Sequence, residues 1–431
     1  MLEGKAKEKV IAVYFIALAT LMYYFLNQVI TIPYTIPVRQ IFVLLIIFSG
    51  FVCFLIRPNL ARGLVAIKGA LVLAAPLGVM FTVSLPIWFV EQVSFIELYR
   101  SFWHHALYAN QLFAALVAAV FLYVFGEKGI WYNLIALLLT NFMMVVQIML
   151  ENGVSTYLHE LGQLIITFAG ETGDVIGKAE IHELAFCLGA YLIYMLLFYK
   201  KKLWFHLTFV LLTFCFLSAF KRIAIVAIAV AVAIGFVLKL ILKAGRKKWV
   251  DAIVRNVLLL GCLLLVLYIG FVKMGGFHLL EEAQIDTMTR VDIYDEVADY
   301  YEFSPTFMGH GMGFLSYQLT RVISLWESAI HNDFLQFYID LGFWGYILWL
   351  LSLTVLRTWY FGRHDKKEGK IAAFAVTCYV LILSTTDNTL NFQMFYTVTG
   401  LLIMGQGFDE RVRETDLKLF GFVEERNRSE D

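Results

Sequence analysis

The sequence predicts an all-α polytopic membrane protein of about twelve transmembrane helices, with a large extracytoplasmic loop between helices nine and ten. Three observations lead there. Of the 431 residues, 60% are hydrophobic and only 16% are charged, whereas soluble domains are about 45–50% apolar and about 25% charged. Apolar runs of about 20 residues recur along the chain, the length a helix needs to cross ~30 Å of hydrocarbon. The basic residues between those runs fall on alternate sides. Backbone groups in lipid must be satisfied within their own segment, so the runs read as helices.

Taken in order, the expected spans are 10–30, 38–56, 66–88, 106–125, 130–150, 181–199, 203–220, 223–242, 254–275, 334–356, 371–386 and 392–408. The first run is too long for the apolar region of a signal peptide, and no small-x-small cleavage site follows it, so it reads as a span. The tenth carries Asp340 inside it. Two connections are long, 151–180 and 276–333. With the N-terminus in the cytoplasm, inner segments hold 25 of the 34 Lys and Arg residues, the bias that sets orientation. Both termini then lie inside and both long connections face outward. No internal repeat or linker divides the chain, and residues 1–431 are expected to form a single polytopic domain. Its place is the cytoplasmic membrane.

Other features exclude functions. The formal net charge is zero, against the strongly basic surface expected of a nucleic-acid binder. The five cysteines lie in apolar runs without a CxxC pair and read as packing residues, not disulfide or metal ligands.

Charge placed against the trend is the informative signal in a membrane chain. Lys221 and Arg222 sit together at the outer turn between spans seven and eight. They read either as a snorkelling pair at a helix end or as an anion site for phosphate. The loop 276–333 holds eight acids between Glu281 and Glu302, with Arg290 as the one base among them. The spacing of Glu282, Asp286 and Arg290 puts them on one helical face. That face is either a solvated, self-paired helix or a mount that aims Arg290 at an anionic ligand. The run Gly309-His310-Gly311-Met312-Gly313 permits a tight turn and close backbone approach to a ligand. His310 is either a phosphate donor or simply exposed. The loop ends in His331-Asn332-Asp333. Asn332 or Asp333 is placed to cap the next helix, and His331 is placed to titrate at the mouth of a cavity. Gly342 and Gly345 would let neighbouring helices approach. Asp387 and Asn388 in the last outer turn are placed to face the same cavity. The pair His104-His105 reads as interfacial, and 151–180 as an amphipathic segment along the outer surface.

These residues carry a resemblance. The chain resembles the O-antigen polymerase and O-antigen ligase superfamily, whose Wzy-type members make capsular and other surface polysaccharides. The resemblance rests on His331-Asn332-Asp333-Phe334-Leu335, on Gly342-Phe343-Trp344-Gly345 and on Arg290. It also rests on the turn from Gly309 to Gly313 and on Ser218 to Arg222, where Lys221 precedes the Arg and Ile223 follows it. It spans roughly 215–405. It implies a glycosyltransferase that polymerises undecaprenyl diphosphate-linked repeat units on the outer face of the membrane, with a chain-length regulator as a partner. In that reading His331 and Arg290 are catalytic. Arg222, Lys221 and His310 bind the diphosphate, supported by Asn332, Gly311, Gly313 and Asp387. No Walker loop or Asp-x-Asp motif is present, and no metal or cofactor is expected. Two rivals stand beside it. One is ligase-type transfer to lipid A core or protein. The other is a lipid-linked glycan flippase, which would place ionisable groups at mid-membrane depth.

Overall fold

The computed structural model describes residues 2–26, 38–91, 95–167, 182–198, 200–219, 221–282, 290–321, 330–363 and 367–428. Among them there is helix and no strand, so the all-α expectation holds. The helices are α1 (Leu2–Leu26), α2 (Val38–Ile56), α3 (Leu60–Val90), α4 (Phe95–Phe125), α5 (Lys128–Asn152), α6 (Val154–Thr167), α7 (His182–Leu197), α8 (Leu203–Ser218) and α9 (Arg222–Lys243). They continue as α10 (Lys247–Lys273), α11 (Gly276–Glu282), α12 (Arg290–Val297), α13 (Phe314–Arg321), α14 (Asp333–Leu351), α15 (Glu368–Leu383), α16 (Gln393–Gly405) and α17 (Phe408–Arg428). A π-helical turn, Ser352–Leu356, and a last helical turn, Arg357–Phe361, extend α14.

Each of the twelve expected spans overlaps a helix in its described residues; 27–30 of the first lie outside them. Seven described helices are long and apolar enough to cross a membrane, the last being Asp333–Phe361, and four more are apolar but shorter. Of the segment 151–180, residues 154–167 form α6, and the remainder from 168 lies outside the described residues. Asp286 also lies outside them; Glu282 ends α11 and Arg290 opens α12. The side chains of His104 and His105 in α4 are likewise outside the described set.

The chain divides into two compact units. The first comprises Met1–Ala70, Phe113–Phe236 and Met394–Asp431; the second comprises Leu71–Leu112 and Val237–Gln393. In the first, α1 packs on α2 and α5, and α7 packs on α8. Phe15 of α1 meets Phe121 and Phe125 edge-on, with ring centroids 6.0 and 5.4 Å away. Polar groups inside this core close on one another. Asn133 Nδ2 donates to the Tyr23 hydroxyl at 2.6 Å. The Tyr191 hydroxyl donates to Asn133 Oδ1 at 3.0 Å and to the Ile130 carbonyl at 2.8 Å. All three side chains are fully buried. In apolar surroundings an unpaired polar group costs several kcal/mol, so mutual pairing is what lets them be there. The half-buried Glu183 carboxylate accepts the backbone N–H groups of Met394 and Phe395 at the start of α16.

In the second unit α10 packs along α14, and α14 is the element that organises the rest. It is not one continuous helix. Gly342 has φ 70° and ψ 179°, a backbone state open to glycine and costly to residues with a Cβ. The break strips local helical hydrogen bonds, and the irregular stretch 307–311 replaces them. Phe343 N–H donates to Phe307 O at 2.9 Å. His310 N–H donates to Ile339 O at 3.2 Å, and Gly311 N–H to Asp340 O at 2.7 Å. Non-helical backbone within an apolar span is tolerated only where it is repaired in this way. The approach is close: a Cβ on Gly309 would lie 2.3 Å from Gly342 N, and one on Gly342 would lie 2.2 Å from the Met308 carbonyl carbon. Gly345 does serve close helix approach, against Val83 of α3. Gly342 instead breaks its own helix to admit the chain from the preceding loop.

Candidate functional site

The N-terminal end of α14 is where polar residues of the second unit converge. Asn332 is the cap: its Oδ1 accepts from Leu335 N–H at 3.1 Å. Its Nδ2 then donates to two phenols, Tyr268 of α10 at 2.9 Å and Tyr294 of α12 at 3.2 Å. One fully buried amide therefore caps α14 and ties it to both neighbours. Burial pushes the Tyr294 hydroxyl up from the usual phenol range, against a smaller opposite pull from Asn332 and the nearby Arg290. It stays protonated and neutral in its place.

His331, one residue earlier, has φ 52°, the only positive φ outside glycine among the described residues. Left-handed backbone is uncommon for non-glycine residues and costs of order 1–3 kcal/mol unless the surroundings impose it. Here they do. His331 N–H donates to Asn388 Oδ1 at 2.8 Å, and its Nδ1 faces Asp387 Oδ1 at 3.7 Å. The imidazole remains 39% exposed while the Asp387 side chain is 10% exposed.

Residues 384–391, between α15 and α16, receive these contacts. Asn388 Nδ2 donates to Gln336 Oε1 at 2.9 Å. Asp333, fully buried, accepts from Leu390 N–H at 3.0 Å and from the Thr389 hydroxyl at 3.3 Å. Arg290 reaches the same turn, its Nη2 donating to Thr386 O at 3.0 Å. Its buried Nε has no hydrogen-bond partner among the described residues. A buried guanidinium N–H without an acceptor is expensive and marks Arg290 as a group with capacity left for an anion. Three consecutive residues of one turn, Thr386, Asp387 and Asn388, thus hold Arg290 and His331.

The glycine-rich turn and His310 sit elsewhere in the unit. Asp340, fully buried inside the apolar α14, accepts from Gly313 N–H and Leu315 N–H, both at 2.9 Å, and so caps α13. A Cβ on Gly311 would strike the Trp88 indole. These glycines bring backbone against the chain itself, on α14 and α3. Both ring nitrogens of His310 face acceptors: Nε2 donates to Tyr300 O at 2.9 Å, and Nδ1 lies 3.3 Å from Glu91 Oε1. The ring stacks on Phe314 at 4.2 Å. This is the environment of a tethered histidine.

Lys221 and Arg222 belong to the first unit. Lys221 is half-buried and precedes α9, its carbonyl accepting from Ala224 N–H at 3.0 Å; Arg222 opens the helix and is exposed.

Sequence reading had singled out Arg290, His331, Asn332 and Asp387, and the structure brings these four into one cluster. It had not found Tyr268, Tyr294 or the carbonyl of Thr386. Nothing in their local sequence distinguishes a tyrosine that braces an amide from one in an interfacial belt. Asp340 did give a signal, as a carboxylate inside an apolar run.

A membrane protein of many helices with an arginine and a histidine mounted on one buried polar turn is the class defined so far. Residues 207–350 match the family described as O-Antigen ligase. The match supports the O-antigen ligase and polymerase superfamily, and with it glycan transfer of that general type on lipid-linked glycans. It runs from α8 into α14, taking in Lys221, Arg222, Arg290, His310 and His331. It stops short of Asp387 and Asn388, whereas the sequence resemblance was read to 405. No curated protein matches the chain.

Proposed function

We propose that this chain polymerises undecaprenyl diphosphate-linked oligosaccharide repeat units into a surface or capsular polysaccharide, at the extracytoplasmic face of the cytoplasmic membrane. A hydroxyl of the acceptor glycan attacks the anomeric carbon of the donor. The new carbon–oxygen bond forms as the bond from that carbon to the diphosphate breaks, and undecaprenyl diphosphate leaves with the electron pair. His331 takes the hydroxyl proton on Nε2, with Asp387 facing Nδ1 and favouring the imidazolium that results. General-base help of this kind contributes about 10²–10⁴-fold. Arg290 stabilises charge growing on the leaving diphosphate, worth about 10²–10³-fold per donor. The donor carries its own activation, so neither nucleotide nor metal enters the scheme.

The observation that carries this reading is the turn from Thr386 to Asn388 holding both Arg290 and His331. A base and an anion-stabilising cation on one mount are what such a transfer requires. His310, with both nitrogens engaged by the protein, is better read as a tether of the loop than as a phosphate ligand. A second reading, single transfer of a finished glycan to another acceptor, draws support from the description of the matching family as a ligase. Reconstituted protein given lipid-linked repeat units separates the two: a ladder of products supports polymerisation, and one transfer per acceptor supports ligation. Absence of any transfer, with labelled lipid crossing the bilayer, would favour a flippase.

A further inference from the structure

Beside the Asn332 cluster lies a small recess of about 50 Å³, lined by Lys273, Phe277, His278, Tyr294, Asp295 and Tyr301 and partly open to solvent. This is far below the roughly 300–1,000 Å³ of sites that enclose a small molecule, so the recess takes one edge of a sugar ring and leaves the rest of the unit at the open surface. We infer that the recess is a subsite for one sugar of the acceptor glycan, remote from the reacting hydroxyl; the inference rests on the glycan-transfer reading above.

The chemistry of the lining selects the ligand class. His278 and Asp295 stand at the surface, 49% and 59% exposed, with Nε2 and Oδ1 3.0 Å apart. An imidazole beside a carboxylate offers a donor and acceptors to neighbouring hydroxyls. Phe277 adds a half-buried ring, held edge-on to Tyr294 at 4.8 Å. The cation in the wall is already engaged: Lys273 Nζ donates to Ala298 O at 2.7 Å and lies 4.8 Å from the Tyr301 ring centroid. With that ammonium tied and a carboxylate at the rim, the recess has little to hold a diphosphate. Donors, acceptors and an aromatic edge suit an uncharged polyhydroxyl ring.

Position supports the same assignment. Tyr294 is a shared wall, its ring lining the recess and its hydroxyl bonded to Asn332 beside His331. It lies on α12, the helix that Arg290 opens. A sugar held here leans on the elements that mount both residues. Binding energy from such a remote unit is what an enzyme uses to position the reacting end.

The test uses full-length protein in proteoliposomes, with lipid-linked repeat units isolated from the producing cells as both donor and acceptor. Phe277→Ala and the double variant His278→Ala/Asp295→Asn should raise the apparent KM for acceptor about tenfold, the loss falling on KM more than on kcat. Their product ladders should be shorter, and Phe277→Trp should restore both. Wild-type KM and ladders in these variants, with Arg290→Ala inactive, overturn the subsite alone. Full activity of Arg290→Ala overturns the transfer reading and the subsite with it. Direct binding guards against misfolded variants. Saturation-transfer NMR with the oligosaccharide freed from the repeat unit by mild acid should give sugar signals on wild type and on Arg290→Ala, and none on Phe277→Ala. No signal on wild type overturns the subsite.

Discussion

Two buried polar clusters, one in each unit, are built from similar materials and end differently. In the first unit Tyr23, Asn133 and Tyr191 are fully buried and bond to one another and to a carbonyl. In the second, Asn332, Asp333, Gln336 and Asn388 form an equally buried scaffold. That scaffold carries an imidazole 39% exposed and an arginine whose buried Nε has no partner among the described residues. Neutral groups that complete each other's hydrogen bonds act as glue between helices. A scaffold that strains a histidine backbone and leaves guanidinium capacity open has the features of a preorganised site.

Substitutions break or sharpen that contrast, and the largest effects belong to the second cluster. His331→Ala should slow transfer by about 10²–10⁴-fold, with the protein still inserted and folded; the rate of ladder formation in proteoliposomes measures it. Arg290→Ala should cost about 10²–10³-fold. Arg290→Lys should recover little of it, because a point charge does not replace a planar fork. Gly342→Ala acts on the fold. A methyl 2.2 Å from the Met308 carbonyl carbon, at φ 70°, should lower the thermal midpoint in detergent and the yield of inserted protein. The backbone strain alone is of order 1–3 kcal/mol. Asn133→Leu should be the mildest for function. It removes a buried amide and leaves two phenols short of a partner, a stability cost of about 1–3 kcal/mol. Transfer per folded molecule should match wild type. A loss of transfer in Asn133→Leu equal to that in Arg290→Ala would erase the distinction between the two clusters.

The helices were legible because apolar runs of spanning length have one stable form in lipid. Each expected span meets a helix, and Asn332 was placed correctly as a candidate cap. What stayed hidden depends on partners far apart in the chain. Arg290 finds its acceptor in the carbonyl of Thr386, and backbone acceptors carry no mark in sequence. Gly342 looked like a helix-packing glycine, since spacing alone does not distinguish a small residue from a residue that needs positive φ. The turn from Gly309 to Gly313 looked like a ligand loop for the same reason. Its closest neighbours are Gly342, Trp88 and the Asp340 carboxylate. His310 was judged by its neighbours in sequence, whereas the groups its ring meets, Tyr300 O and Glu91, lie elsewhere in the chain.

The central claim is that one turn holds Arg290 and His331 so that together they move a glycan from a lipid diphosphate to an acceptor hydroxyl. Single-turnover transfer in proteoliposomes, comparing wild type, Arg290→Ala, His331→Ala and the double variant, tests it most directly. Residues acting on one transition state are non-additive, so the double variant should lose about as much as the worse single variant. Fully additive losses, or a wild-type rate in either single variant, would contradict the account.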